Sequence, residues 1–152
     1  ELNTFMTEIF NAFQPYANIK HINFTYESNF RYMNVWFDKE KMESILKNII
    51  SNALKYTPEN GNVQIFVSEN NDSWSVEVKD TGIGIPKDSL KKIWERFYKT
   101  DLSRGKDKRG TGLGLSIVKE IIQAHGENIN CISTEGVGTE FIFTLPIAKD
   151  KE

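Results

Sequence analysis

A single cysteine, Cys131, and two histidines stand in the 152 residues. One cysteine excludes a disulfide framework and a zinc site built from thiolates, and is compatible with a reducing compartment. No apolar run approaches the roughly 20 residues that a membrane-spanning helix needs. No signal peptide is visible. Charge is nearly balanced, with 19 Lys+Arg against 21 Asp+Glu and a net charge of -2, so bulk charge gives no sign of a nucleic-acid partner. There is no internal repeat and no low-complexity segment. The length suits one domain with a real core. Glycine is scarce early on. Nine of the ten lie at or after Gly82, with a cluster at Gly105, Gly110, Gly112 and Gly114. Glycines beside a helix start are a hint of phosphate binding.

Leu2, Phe5, Met6, Ile9, Phe10 and Phe13 recur at helical spacing, which predicts a helix over residues 1–13 that Gln14-Pro15 ends. This helix reads as the tail of something longer. Ile22, Phe24 and Tyr26 then alternate with polar residues, and a second run at 31–37 follows a Ser28-Asn29 turn; the pair suits a hairpin. The strongest helix runs over 38–56, with Asp38 as N-cap and Met42, Ile45, Leu46, Ile49, Ile50 and Ala53 as its stripe. Thr57-Pro58 stops it. Val63, Ile65 and Val67 predict a strand, a turn at Asn70-Asn71-Asp72 leads into another, and Pro86 opens a short helix with Leu90, Ile93 and Trp94. Residues 100–110 lack apolar periodicity and carry Arg104, Lys106, Lys108 and Arg109, which predicts a loop. A helix over 112–125 stops at Gly126, and two strands close the chain near 129–133 and 139–145.

The run Trp74-Ser75-Val76-Glu77-Val78-Lys79-Asp80 alternates strictly, and Asp80 falls on its apolar face. A carboxylate on the inward side of a strand is costly unless something hydrogen-bonds to it. The residues that follow, Thr81-Gly82-Ile83-Gly84-Ile85-Pro86, offer no obvious partner but two glycines that admit close approach. A ligand that donates a hydrogen bond is the economical reading.

Two further sets carry chemistry. Asn48, Asn52 and Lys55, at i, i+4 and i+7, share a narrow arc beside the apolar stripe. Asparagine is a mediocre helix former, amide oxygens suit Mg²⁺, and Lys55 can meet a phosphate as a point charge. A solvated polar edge explains the triplet equally well. Gly110-Thr111-Gly112-Leu113-Gly114-Leu115-Ser116 opens a helix, where free N–H groups favour an anion. No strand directly precedes it, which argues against a dinucleotide-binding turn, and it lacks a P-loop ending.

Taken together the segments resemble the sequence boxes of sensor histidine kinases. Asn48 through Tyr56 resembles the N box, Asp80 through Pro86 the G1 box, Glu95-Arg96-Phe97-Tyr98 the F box, and Gly110 through Lys119 the G2 box. Gly136-Val137-Gly138-Thr139-Glu140-Phe141 before Leu145-Pro146 is similar to the family's closing strand. The resemblance covers about residues 20–147, and the order and spacing match.

The resemblance implies an α/β (α+β) two-layer sandwich of the Bergerat type, a mixed sheet with helices on one face. Residues 1–18 would be the end of a dimerisation-hairpin helix or a linker, 19–148 the catalytic ATP-binding domain, and 149–152 a tail. It implies ATP and Mg²⁺ as cofactors. Asp80 would accept from the adenine amine, and Gly82, Gly84 and Ile85 would line the base pocket, with Thr139 supporting that corner. Asn52 would bind the metal with Asn48 close by. Lys55 would reach phosphate and Tyr56 would flank the nucleotide. Gly110, Thr111, Gly112, Leu113, Gly114 and Leu115 would serve the phosphates beside a lid over 99–111, and Arg96 would approach the γ-phosphate. Asn52, Lys55 and Arg96 are thus the catalytic expectation.

The implied function is γ-phosphoryl transfer to a histidine on a separate dimerisation domain, in cis or in trans, with a response regulator as indirect partner. The implied location is the cytoplasmic side of a parent anchored in a bacterial inner membrane, with no membrane contact by this domain. Neither histidine suits the acceptor role: His21 is placed on the polar side of a strand, and His125 precedes Gly126 at a helix end, where capping is the simpler role. The alternatives are another ATPase of the fold, a serine kinase acting on a regulatory protein, or an interaction module with a degenerate site.

Overall fold

A computed structural model describes residues 2–29, 35, 37–70, 73–95 and 114–146. Among the described residues three helices and five strands form two layers. They are α1 (Leu2–Lys20), β1 (Asn23–Ser28), α2 (Lys39–Tyr56), β2 (Asn62–Asn70), β3 (Ser73–Asp80), α3 (Gly114–Ala124), β4 (Ile129–Thr134) and β5 (Gly138–Pro146), with a 3-10 turn at Lys87–Ser89. The strand order is β1-β2-β3-β5-β4. β1 runs parallel to β2, and the other pairings are antiparallel. The sheet is therefore mixed, as expected.

Alternation decides which face of the sheet is covered. On β3, Trp74, Val76, Val78 and Asp80 are buried, and the residues between them are not. Val63, Ile65 and Val67 on β2, and Phe141, Phe143 and Leu145 on β5, are buried on the same side. The helices close this face with Met6 and Ile9 of α1, Ile45, Ile49 and Ile50 of α2, and Val118 and Ile122 of α3. Each such aliphatic side chain contributes roughly 1.5–3 kcal/mol of transfer free energy. Asp38 caps α2 as expected, its carboxylate accepting from the Lys41 N–H at 3.1 Å.

Three expectations change. The helix predicted to end at Pro15 continues to Lys20. Pro15 removes one intrahelical donor, but Ala17 beyond it is fully buried. Lys20 Nζ also donates to the carbonyls of Leu54 at 2.9 Å and Lys55 at 2.7 Å. Tertiary anchoring outweighs the local penalty. His21 is not on a strand; it closes α1 with φ 59°, and β1 begins two residues later. β1 pairs with β2 across the sheet, while the run expected at 31–37, apart from positions 35 and 37, lies outside the described residues.

Candidate functional site

The end of α2, the segment after β3 and the turn between β4 and β5 meet at one corner. Two backbone bonds tie them, Ile83 N–H to the Tyr56 carbonyl at 3.2 Å and Gly136 N–H to the Ile83 carbonyl at 2.7 Å, and Thr81 N–H joins the segment after β3 to β2 through the Asn62 carbonyl at 3.0 Å. The glycines allow the approach. A Cβ on Gly82 would lie 2.6 Å from the Tyr56 carbonyl oxygen. One on Gly84, where φ is +73°, would lie 2.2 Å from that of Thr134. The space these two residues leave open is taken by the protein's own backbone.

Asp80 stands at this corner, 8% exposed. It does have partners. Its Oδ1 accepts from the Gly82 N–H at 2.9 Å and the Thr139 N–H at 3.2 Å. The first is an Asx-type bond to the residue two positions on; the second comes from the cross-strand neighbour in β5. Among the described residues Oδ2 takes no hydrogen bond, and no sealed side-chain polar atom is left without one. Oδ2 therefore reaches solvent. Burial raises the Asp80 carboxyl above the ordinary aspartate range, and the two N–H bonds pull it partly back. One oxygen is fixed and the other is held out as an acceptor.

Asn48 and Asn52 lie one helical turn apart on α2, and Asn52 Nδ2 donates to Asn48 Oδ1 at 3.3 Å. That bond orients the Asn52 amide and leaves its own Oδ1 for a cation. No group of three or more His, Cys, Asp or Glu that could hold a metal occurs among the described residues. A cation here would complete its shell from water and a bound phosphate, as Mg²⁺ does. Lys55 Nζ sits 5.3 Å from the centroid of the Tyr56 ring. A shallow hollow of about 440 Å³ on α2 is lined by Glu40, Glu43, Ser44, Lys47, Asn48 and Ser51. It shares only Asn48 with the expected set.

Against this geometry, the model of the family described as histidine kinase-, DNA gyrase B-, and HSP90-like ATPase matches residues 37–149. The chain belongs to this family. Sensor histidine kinase WalK of Bacillus subtilis (strain 168) is 44% identical over 150 residues, which are 97% of this chain and 24% of WalK. The chain thus spans about a quarter of that relative. Among solved structures, the nucleotide-free catalytic domain of histidine kinase ThkA superposes with a TM-score of 0.84 at 31% identity, covering 97% of this chain and 95% of that one. Full-length ShkA in complex with AMPPNP gives 0.86 at 28% identity, covering all of this chain and 31% of ShkA. The expected architecture is that of the histidine kinase catalytic domain.

The kinase-type corner gathers Asp80, Gly82, Gly84, Ile85 and Thr139, with Tyr56 at its edge. Asn48, Asn52 and Lys55 lie on the last turns of α2 that lead to it. Leu115 is half-buried against the core, and Gly114 begins α3. Arg96, Gly110, Thr111, Gly112 and Leu113, with the expected lid, lie outside the described residues. One participant went unforeseen. Ser133 Oγ binds the Ile85 N–H at 2.8 Å and Thr139 Oγ1 at 2.8 Å. The signal was present, since Ile129, Cys131 and Ser133 alternate and put a hydroxyl on the inward face. Cys131 also belongs to this neighbourhood. Burial, and then the Asp80 charge, push its thiol up to about 12, so it packs as a thiol and is no nucleophile.

Proposed function

We propose that this chain is the Mg·ATP-binding catalytic domain of a two-component sensor histidine kinase, donating the γ-phosphate to a histidine on a separate dimerisation domain. The observation that carries the reading is the Asp80 carboxylate, with Oδ1 locked by two N–H groups and Oδ2 open. That acceptor fits the exocyclic amine of adenine. The amide oxygens of Asn48 and Asn52 fit a magnesium ion, and Lys55 fits a phosphate. When bound, the metal supplies charge neutralisation on the triphosphate. The chain's own residues position and orient, which is most of what phosphoryl transfer asks of a protein.

The acceptor domain belongs to the same parent and is reached in cis or in trans, with a response regulator downstream. The parent is membrane-anchored, with this domain on the cytoplasmic side. No helix among the described residues is long and apolar enough to cross a membrane.

Calorimetry tests the reading. ATP titrated with Mg²⁺ present should bind in a 1:1 ratio, and withholding the metal should weaken it. No binding of Mg·ATP by the folded chain overturns the reading. Vigorous hydrolysis without an acceptor favours another ATPase of the fold.

A further inference from the structure

The Ser133 hydroxyl sits where three segments meet. It accepts from the Ile85 N–H at 2.8 Å. It lies 2.9 Å from the Gly138 carbonyl oxygen, to which it can only donate. It is also 2.8 Å from Thr139 Oγ1, a contact in which either oxygen can be the donor. A hydroxyl has one hydrogen and two lone pairs. With that hydrogen on Gly138 and one lone pair on Ile85, Ser133 has a single lone pair left. Thr139 must then supply the hydrogen between the two hydroxyls, and it has no other. Thr139 stands directly across the strands from Asp80, and its own N–H rests on Asp80 Oδ1. Side chains of such a cross-strand pair lie side by side on one face. These two side chains therefore offer lone pairs only, from a carboxylate and from a hydroxyl whose hydrogen is already committed.

We propose that Ser133 is a positioning residue for purine specificity: it holds the Thr139 hydroxyl as an acceptor, so that the corner takes a 6-amino purine nucleotide and rejects a 6-oxo purine. The proposal rests on the adenine-nucleotide reading and adds the residue that fixes the polarity of the second acceptor. A threonine hydroxyl without such a partner rotates, and donates to a 6-oxo group as readily as it accepts from a 6-amino group. A committed acceptor leaves the 6-oxo oxygen facing lone pairs with no hydrogen between them, and sites of that kind discriminate strongly.

The test compares Mg·ATP with Mg·ITP, in which a 6-oxo group and an N1–H replace the 6-amino group and bare N1 of the base. Affinities are measured by calorimetry for the wild type, Ser133→Ala and Ser133→Thr. The wild type should prefer ATP. Ser133→Ala should narrow the ATP:ITP affinity ratio by about tenfold, and Ser133→Thr, which keeps the hydroxyl, should restore it. A merely structural loss weakens both nucleotides alike and leaves the ratio where it was. An unchanged ratio in Ser133→Ala, with ATP binding intact in the wild type, overturns the proposal and leaves the adenine reading standing. A wild type that binds both nucleotides equally, or neither, removes that reading and the proposal with it. Should Ser133→Ala fail to fold by circular dichroism, Thr139→Val carries the same test. Removing the second acceptor must narrow the ratio, and an unchanged ratio overturns the proposal.

Discussion

Asp80 accepts two backbone N–H groups on one oxygen and presents the other outward. Its inward place was legible from alternation alone, because Asp80 continues the face of Trp74, Val76 and Val78. Its partners were only half legible. The Gly82 N–H is two residues away and is a common aspartate turn partner, whereas the Thr139 N–H arrives from 59 residues on and needs the sheet order to be known. Asp80→Asn keeps the shape but weakens the acceptor and brings an N–H toward the amine of the base. It should lower ATP affinity by about 1–3 kcal/mol, measured by calorimetry, and unchanged binding would refute the role. The pH dependence follows. Burial raises the carboxyl, so on acidification Asp80 protonates at a higher pH than an ordinary aspartate. ATP affinity should fall as pH drops through that raised value, and Asp80→Asn should flatten the fall. Without ligand the sign reverses. The folded chain binds this proton more readily than the unfolded chain, so this group's contribution to stability is lost as pH rises through the same window.

At the scale of elements, α1 and the sheet carry the clearest tests. Pro15 misled because a local rule was applied where packing decides. The stripe Leu2, Met6, Ile9 and Phe13 continues to Ala17 without a break, and that continuation could have been read beyond the proline. What could not be read is Lys20, whose ammonium caps the last carbonyls of α2 from a different helix. A cation at a helix C-terminus with two charge-assisted bonds should contribute about 1–2 kcal/mol. Lys20→Met should lower stability by that amount in urea unfolding, and no change would show the cap to be idle. On the sheet face opposite the described helices, Glu77 is pushed up to about 7, first by a hydrogen bond to Glu140, then by burial and the Glu140 charge. The folded state therefore holds a proton that the unfolded chain has released above the ordinary glutamate value of 4.5. Stability from this group is fully present below that value and is lost as pH rises through about 7. Thermal unfolding across this range should show the loss in the wild type, and Glu77→Gln should remove it. Parallel curves for the two proteins would dismiss the shared proton.

For the molecule as a whole, the spacing of the boxes foretold which segments converge, but not the bonds by which they do so. The corner is assembled from α2, β3 and the β4–β5 turn through backbone groups that every sequence has, such as the Tyr56 carbonyl and the Ile83 N–H. Such groups leave no signature in residue type, which is why the converging segments were readable and the bonds between them were not. The assembled molecule also bears on where a transferred phosphate would go. Only two histidines exist in the chain. His125 Nδ1 is bonded to the Ile121 carbonyl at 2.8 Å, as a helix-end cap, and its ring stacks on Phe37 with centroids 4.1 Å apart. His21 closes α1 in a left-handed turn whose carbonyl holds the Asn60 N–H. Neither sits in the Asp80 corner. Incubation with γ-labelled ATP should therefore leave no acid-labile label on this chain, while adding the parent's dimerisation domain should produce label on that domain alone. An acid-labile label on His125, removed by His125→Ala, would make this chain its own acceptor and break the division between donor and acceptor domains.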